Sequence, residues 1–212
     1  MAKPAPLALT PRKRPRQARS QATVDVIFEA TIQVLLSAGS QRLNTTRVAE
    51  RAGVSVGTLY QYYPNKQSLL FAALADHLDR VAAAVEAACE QGRHKPLSDM
   101  VGAVVEAFVD AKMERIDVSL ALYQFAADVG GPALVKRVGQ RSRKALEAML
   151  ETASDTASPP DRFAVEMMFA AMAGATRYVL EAGASPAMIR GLRRHLVVLC
   201  QSYMRAQHAP HR

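Results

Sequence analysis

The sequence contains no tryptophan, two cysteines and only 6% aromatic residues. Cys89 and Cys200 cannot by themselves build a disulfide framework or a four-ligand zinc site. The five histidines, His77, His94, His195, His208 and His211, have no Cys, Asp or Glu at metal-ligand spacing. Glycine loops of the phosphate-binding kinds are absent, as are a G-x-S-x-G elbow and an H-E-x-x-H pair. No catalytic residue, metal or cofactor is therefore expected. The longest uncharged apolar run, residues 167–176, falls short of the roughly 20 residues a membrane span needs. The start, MAKPAPLALTPRKRPRQ, has no apolar core ahead of a small-residue cleavage site, which argues against secretion. No sustained apolar–polar alternation marks a strand. These absences lead us to expect a soluble, cytoplasmic protein with no membrane partner.

What is present is unevenly placed charge. Residues 1–66 hold ten basic side chains against three acidic ones, and residues 67–212 hold 17 against 16. A basic N-terminal third on a nearly neutral body suits a polyanion, nucleic acid first. Residues 1–17 carry four prolines and five basic residues without apolar periodicity, and read as a disordered arm.

From Ala18 onward the pattern is helical. Val24, Ile27, Phe28, Thr31 and Leu35 recur at three-and-four spacing, with Gly39 as a stop. Breakers at Gly39, Gly53, Pro64, Gly92/Pro96, Gly130–Pro132, Ser158–Pro160 and Gly183/Pro186 divide the chain into about nine helices, an all-α fold. Pro132, Pro159 or Pro160, and Pro186 suit a first helical turn. Ser185 is a good N-cap, and Gly183 suits the end of the helix before it. Residues 161–182 and 186–206 are apolar on more than one side. Such helices must be buried on more than one side, and a second copy of the chain would do it. Ile189, Leu192, Leu196, Leu199 and Tyr203 form the stripe expected there.

The stretch LNTTRVAERAGVSVGTLYQYYPNKQSLL, residues 43–70, reads as a helix-turn-helix. Asn44 caps a short helix with Val48 and Ala49 inward. Gly53 takes the turn position that needs positive φ, and Val54 plugs the core beneath it. Ser55 caps a second helix, residues 56–62, anchored by Leu59 with its other residues facing out. Thr58, Tyr60, Gln61 and Tyr62 offer donors and acceptors to a major groove, Gly57 lets backbone approach phosphate, and Val56 can meet a thymine methyl. Thr45, Thr46, Arg47 and Lys66 can hold phosphates at helix N-termini.

TTRVAERAGVSVGTLYQYYPNK resembles the DNA-binding signature of the tetracycline-repressor (TetR) family of bacterial regulators, over about the first 75 residues. By that resemblance Thr45, Thr46 and Arg47 match the start of the family's second helix. Val56, Gly57, Thr58, Tyr60, Gln61 and Tyr62 match its recognition helix, and Lys66 its phosphate-contacting lysine. Tyr63 stands where phenylalanine is usual, a core-facing exchange. The resemblance implies a basic arm at 1–17, a DNA-binding domain at 18–65, and an effector-binding and dimerisation domain at 66–212. It implies a homodimeric repressor on double-stranded DNA, released from a palindromic operator by an unidentified small molecule. Phe108, Tyr123, Phe125, Met168 and Met172 are the candidate effector contacts, since flexible and aromatic side chains between helices suit a pocket. An effector-independent architectural protein and an enzyme using the C-terminal bundle are the rival readings.

Overall fold

In the computed structural model the described residues are 18–126 and 130–207, and among them there are nine α-helices and no strand. They are α1 (Ala18–Arg42), α2 (Thr45–Ala52), α3 (Val56–Tyr62), α4 (Lys66–Gly92), α5 (Leu97–Met113), α6 (Ile116–Phe125), α7 (Gly131–Leu150), α8 (Arg162–Glu181) and α9 (Pro186–Ala206). The all-α reading stands. The basic arm at 1–17, His208, His211 and the Phe125 side chain lie outside the described residues.

Two compact units divide the chain. The first takes residues up to His77 together with Ala121–Leu134, and the second takes Leu78–Leu120 and Val135–Arg212. In the first unit, α1 buries Val24, Ile27, Thr31 and Leu35. Thr31 sits in the apolar stripe because its Oγ1 donates to the Ile27 carbonyl at 2.7 Å, so the hydroxyl is not left unsatisfied. Gly39, at φ 75° and ψ 167°, is non-helical and ends the long first run as expected, and a short segment continues beyond it to Arg42.

The second unit is built from stripes. Val101, Val105 and Phe108 on α5, Leu146 and Met149 on α7, Met168 and Met172 on α8, and Leu192, Leu196 and Cys200 on α9 are all buried. Each such side chain contributes about 1.5–3 kcal/mol by leaving water. Gln201 Nε2 donates to the Ser98 carbonyl at 2.8 Å, and Arg193 pairs with Asp110. These two contacts set α5 and α9 antiparallel. Arg141 grips α4 from α7, meeting Asp79 at 2.7 Å and both Glu86 oxygens at 3.0 Å. Burial pushes the Cys89 thiol up to about 12 and the Cys200 thiol to about 11, so both behave as small core groups.

Three expectations need correction here. Pro159 and Pro160 precede α8 rather than opening it, because the helix starts at Arg162 after Asp161. Leu192 and Leu196 belong to the internal core, whereas Val198 and Leu199 stand 57% and 51% exposed. The turn-by-turn drift of a helix apolar on two sides makes either stripe look like the outer one. Finally, Ser20–Gly39 and Arg162–Glu181 are long and apolar enough to cross a membrane by length and composition, which a count of uninterrupted apolar residues misses. Charged residues interrupt both, Asp25 and Glu29 in the first and Glu166 and Arg177 in the second.

Candidate nucleic-acid interface

The first unit builds its outer surface on three successive side-chain caps. Asn44 Oδ1 accepts from the Arg47 N–H at 2.9 Å and opens α2. Gly53, at φ 65° and ψ 29°, closes α2 by sending its N–H to the Ala49 and Glu50 carbonyls, and only glycine takes that left-handed geometry without strain. Two residues on, Ser55 Oγ accepts from the Thr58 N–H at 2.9 Å and opens α3. Asn65 and Ser68 then cap α4 reciprocally, at 2.7 and 3.2 Å. Asn44, Gly53, Ser55, Asn65 and Ser68 thus fix where α2 begins and ends and where α3 and α4 begin.

Leu59 is fully buried and anchors α3. Around it, Gly57, Tyr60 and Gln61 are exposed, while Val56 and Thr58 are half-buried. Tyr62 departs from expectation: it is 7% exposed and faces inward, its ring centroid 6.3 Å from that of Tyr63. A seven-residue helix needs a second anchor, and Tyr62 lies three residues beyond Leu59 on the same face. Val54 is only half-buried, so Leu59 and Tyr62 fill the core that Val54 was expected to plug. Tyr63 packs at 5.8 Å from Phe28. Burial, followed by Asp76, Tyr62 and Asp25, pushes its hydroxyl well above the usual tyrosine range.

One contact has no signal in the sequence. The Tyr60 hydroxyl, 42% exposed as a residue, lies 3.0 Å from Oγ1 of buried Thr45. It ties the outer face of α3 to the first turn of α2 across 15 residues of chain. Thr46 and Arg47 are exposed beside it, and Lys66 is half-buried at the start of α4. Arg51 Nε donates to Gln33 at 2.7 Å, joining α2 to α1. The surface is polar, basic, and held by short rigid elements, which is what reading DNA edges and phosphates requires.

Among the expected effector contacts, Phe108, Met168 and Met172 are buried together in the second unit, whereas half-buried Tyr123 belongs to the first. Two polar residues that sequence reasoning passed over share the second unit's interior. Lys112 is 5% exposed, and burial pushes its ammonium down to about 8. Thr176 is fully buried, and its Oγ1 has no hydrogen-bond partner among the described residues. Among those residues no three His, Cys, Asp or Glu side chains gather as a metal site would need.

Two family models match the chain. "Bacterial regulatory proteins, tetR family" covers residues 27–73, and "Tetracyclin repressor-like, C-terminal domain" covers residues 96–204. The HTH-type transcriptional repressor KstR of Mycolicibacterium smegmatis is 38% identical over 78 residues, which is 36% of this chain and 38% of that protein. The chain therefore aligns with well under half the length of that relative. A TetR family transcription regulator from Marinobacter aquaeolei VT8 has a similar fold, with a TM-score of 0.62 and 20% identity over 85% of this chain and 96% of the other. The multidrug binding protein EbrR, solved with imidazole, has a TM-score of 0.58 and 19% identity over 83% and 93%.

Proposed function

Because this chain belongs to the TetR family of bacterial regulatory proteins, we propose that it is a repressor that binds a palindromic DNA operator as a homodimer and leaves it when a small molecule binds. Residues 18–65 are the DNA-binding domain, and residues 66–212 hold the effector and the dimer contact. The protein is not an enzyme and works in the cytoplasm, where its operator is. The observation that carries this reading is the capped α2–turn–α3 element with Gly57, Tyr60 and Gln61 exposed over the Leu59 anchor. Each recognition helix enters one major groove, and a two-fold axis between subunits requires a near-palindromic site. Val56 and Thr58 flank the reading residues, and Thr45, Thr46, Arg47 and Lys66 form the phosphate rim. Tyr62 has no place at the base edges because it is buried. An effector lodged among Phe108, Met168 and Met172 shifts the population toward a subunit spacing that no longer matches the half-sites. The imidazole complex of EbrR shows that protein binding a small molecule, which supports the same expectation for this chain.

The dimer contact is the outer face of α8 and α9. Phe163, Met167, Tyr178, Val198 and Leu199 are all exposed large apolar residues, and nothing lies within 4 Å of a side chain added at Gly174. A stripe of this kind is covered efficiently by its own symmetry mate, and an obligate interface buries about 2,000 Å² or more. Leu199→Asp tests it, since position 199 is open to water in a single chain. Monomers by ultracentrifugation are expected, and a tight dimer would refute the contact.

Selection of bound sequences from random duplex, using the purified chain, tests DNA reading. Gln61→Ala should lose roughly 1–3 kcal/mol of discrimination at one or two base pairs. Lys66→Ala should weaken all sequences alike and reduce the salt slope by about one. Equal affinity of the wild type for random and selected duplexes would remove the proposal.

A further inference from the structure

A single hydrogen bond to a base edge can be satisfied by more than one base, so fixing one base takes a paired donor and acceptor. Of the 7 residues of α3, VGTLYQY, only Gln61 carries both on one planar group. Val56, Gly57 and Leu59 carry neither, and Thr58, Tyr60 and Tyr62 carry one hydroxyl each.

Those hydroxyls are engaged within the protein or enclosed by it. Thr58 Oγ1 lies 2.8 Å from Ser55 Oγ, inside the cap that opens α3. The Tyr60 hydroxyl lies 3.0 Å from Oγ1 of buried Thr45, and Tyr62 is buried. Drawing either engaged hydroxyl onto a base would loosen the start of α3 or its tie to α2. The planar polar groups of the neighbouring segment are held as well. Asn44 Oδ1 caps α2, Arg47 Nη1 donates to the Arg42 carbonyl at 3.4 Å, and Arg51 Nε donates to Gln33 at 2.7 Å.

Gln61 is placed differently. It is exposed, and its amide has no hydrogen-bond partner among the described residues. Helical side chains lean back over the preceding turn, which carries Gln61 toward Gly57, four residues earlier on the same face. Position 57 has no side chain, and a Cβ built there would meet only Ser55 Oγ, at 3.7 Å. The amide therefore has an uncovered approach to whatever α3 faces.

We infer that Gln61 is the one hydrogen-bonding base reader of α3, and that it reads a single adenine in each half-site. The inference rests on the regulator reading, in which α3 enters the major groove, and names the base chemistry recognised there. Adenine presents an N7 acceptor beside an N6 donor, and the glutamine amide supplies the complementary Nε2 donor and Oε1 acceptor. Two-fold symmetry repeats the contact, so the two adenines lie on opposite strands about the operator's centre. The rest of α3 supplies apolar contact, close backbone approach and anchoring. One A·T pair per half-site is therefore strict, and its neighbours under α3 are more tolerant.

The test is duplex selection with the full-length chain, which should return one fixed A·T pair in each half-site. In a selected duplex, 7-deazaadenine at that position removes N7 alone and should weaken wild-type binding about tenfold, the effect of one lost hydrogen bond. Gln61→Ala should bind the two duplexes alike. Gln61→Glu, which can only accept, should move the preference at that pair toward cytosine. Tyr60→Phe, which breaks the tie to Thr45, should weaken all sequences together and keep the adenine. Both Gln61 variants should unfold at the wild-type urea midpoint, because the side chain is exposed and unpartnered. Insensitivity to 7-deazaadenine, or an adenine preference that survives Gln61→Ala, overturns the inference. So does an adenine preference lost in Tyr60→Phe, which would give the reading to the tyrosine. Selected half-sites without a fixed A·T pair defeat this inference alone. A wild type that binds random and selected duplexes alike defeats the regulator reading and the inference with it.

Discussion

The two units reach stability by different routes. Around α2 and α3 the chain is held by contacts three or four residues apart: Asn44 to Arg47, Gly53 to Ala49, Ser55 to Thr58 and Asn65 to Ser68. Around α5, α8 and α9 it is held by apolar stripes on separate helices, some far apart in the chain, as Gln201 and Ser98 are at 103 residues. The first arrangement specifies an outer surface, because short helices with fixed ends hold their exposed side chains in register. The second specifies an interior, and leaves the outer faces of α8 and α9 apolar.

The largest test of this contrast removes one anchor from each core. Leu59→Ala and Leu146→Ala both empty fully buried sites and should each cost about 2–5 kcal/mol in urea denaturation. Only Leu59→Ala should also abolish DNA selection. A loss below about 1 kcal/mol at Leu59 would mean that the caps alone hold α3.

A smaller effect of opposite sign is expected at Lys112. Its pKa falls from 10.5 to about 8 on folding, so the unfolded chain binds the extra proton between those values. Stability supplied by the neutral amine is complete above about 10.5 and lost as pH falls through 8. At neutral pH the buried charge is therefore a net cost, on the order of 3 kcal/mol. Lys112→Met should be more stable than the wild type at pH 7, with the difference shrinking as pH approaches 10.5. A difference independent of pH would place the ammonium in a solvated site.

The smallest effects compare caps. Ser55 and Ser185 each accept from a backbone N–H three residues on, at 2.9 and 3.3 Å. Either serine changed to alanine should cost about 1 kcal/mol. Ser55→Ala should widen the range of DNA sequences bound, and Ser185→Ala should leave that range as it was. Equal effects on selection would erase the distinction between the units.

How far each unit could be read from sequence follows the same division. Asn44, Gly53, Ser55 and Ser185 were legible because a cap is a local pattern, and their positions agree with the structure. Tyr62 was misjudged because its hydroxyl suggested an outward role, while a short helix needed the ring for burial. Leu196 and Leu199 could not be sorted into inner and outer, since both sides of α9 are apolar. Lys112 and Thr176 escaped because composition treats lysine and threonine as solvated, and only the packing of distant helices shows them enclosed.

The length of α3 has a consequence for when the protein can read. Seven residues are too few for a helix to persist in water unaided, where about 12–15 are marginal. Its existence is therefore conditional on the Leu59 and Tyr62 contacts and on one serine cap. Segments of that kind open locally well before the whole domain does. On warming, amide exchange across residues 56–62 should accelerate while overall ellipticity barely changes. Discrimination between operators would fade in that interval, with the protein still folded, so that specificity has a lower thermal ceiling than the fold that carries it.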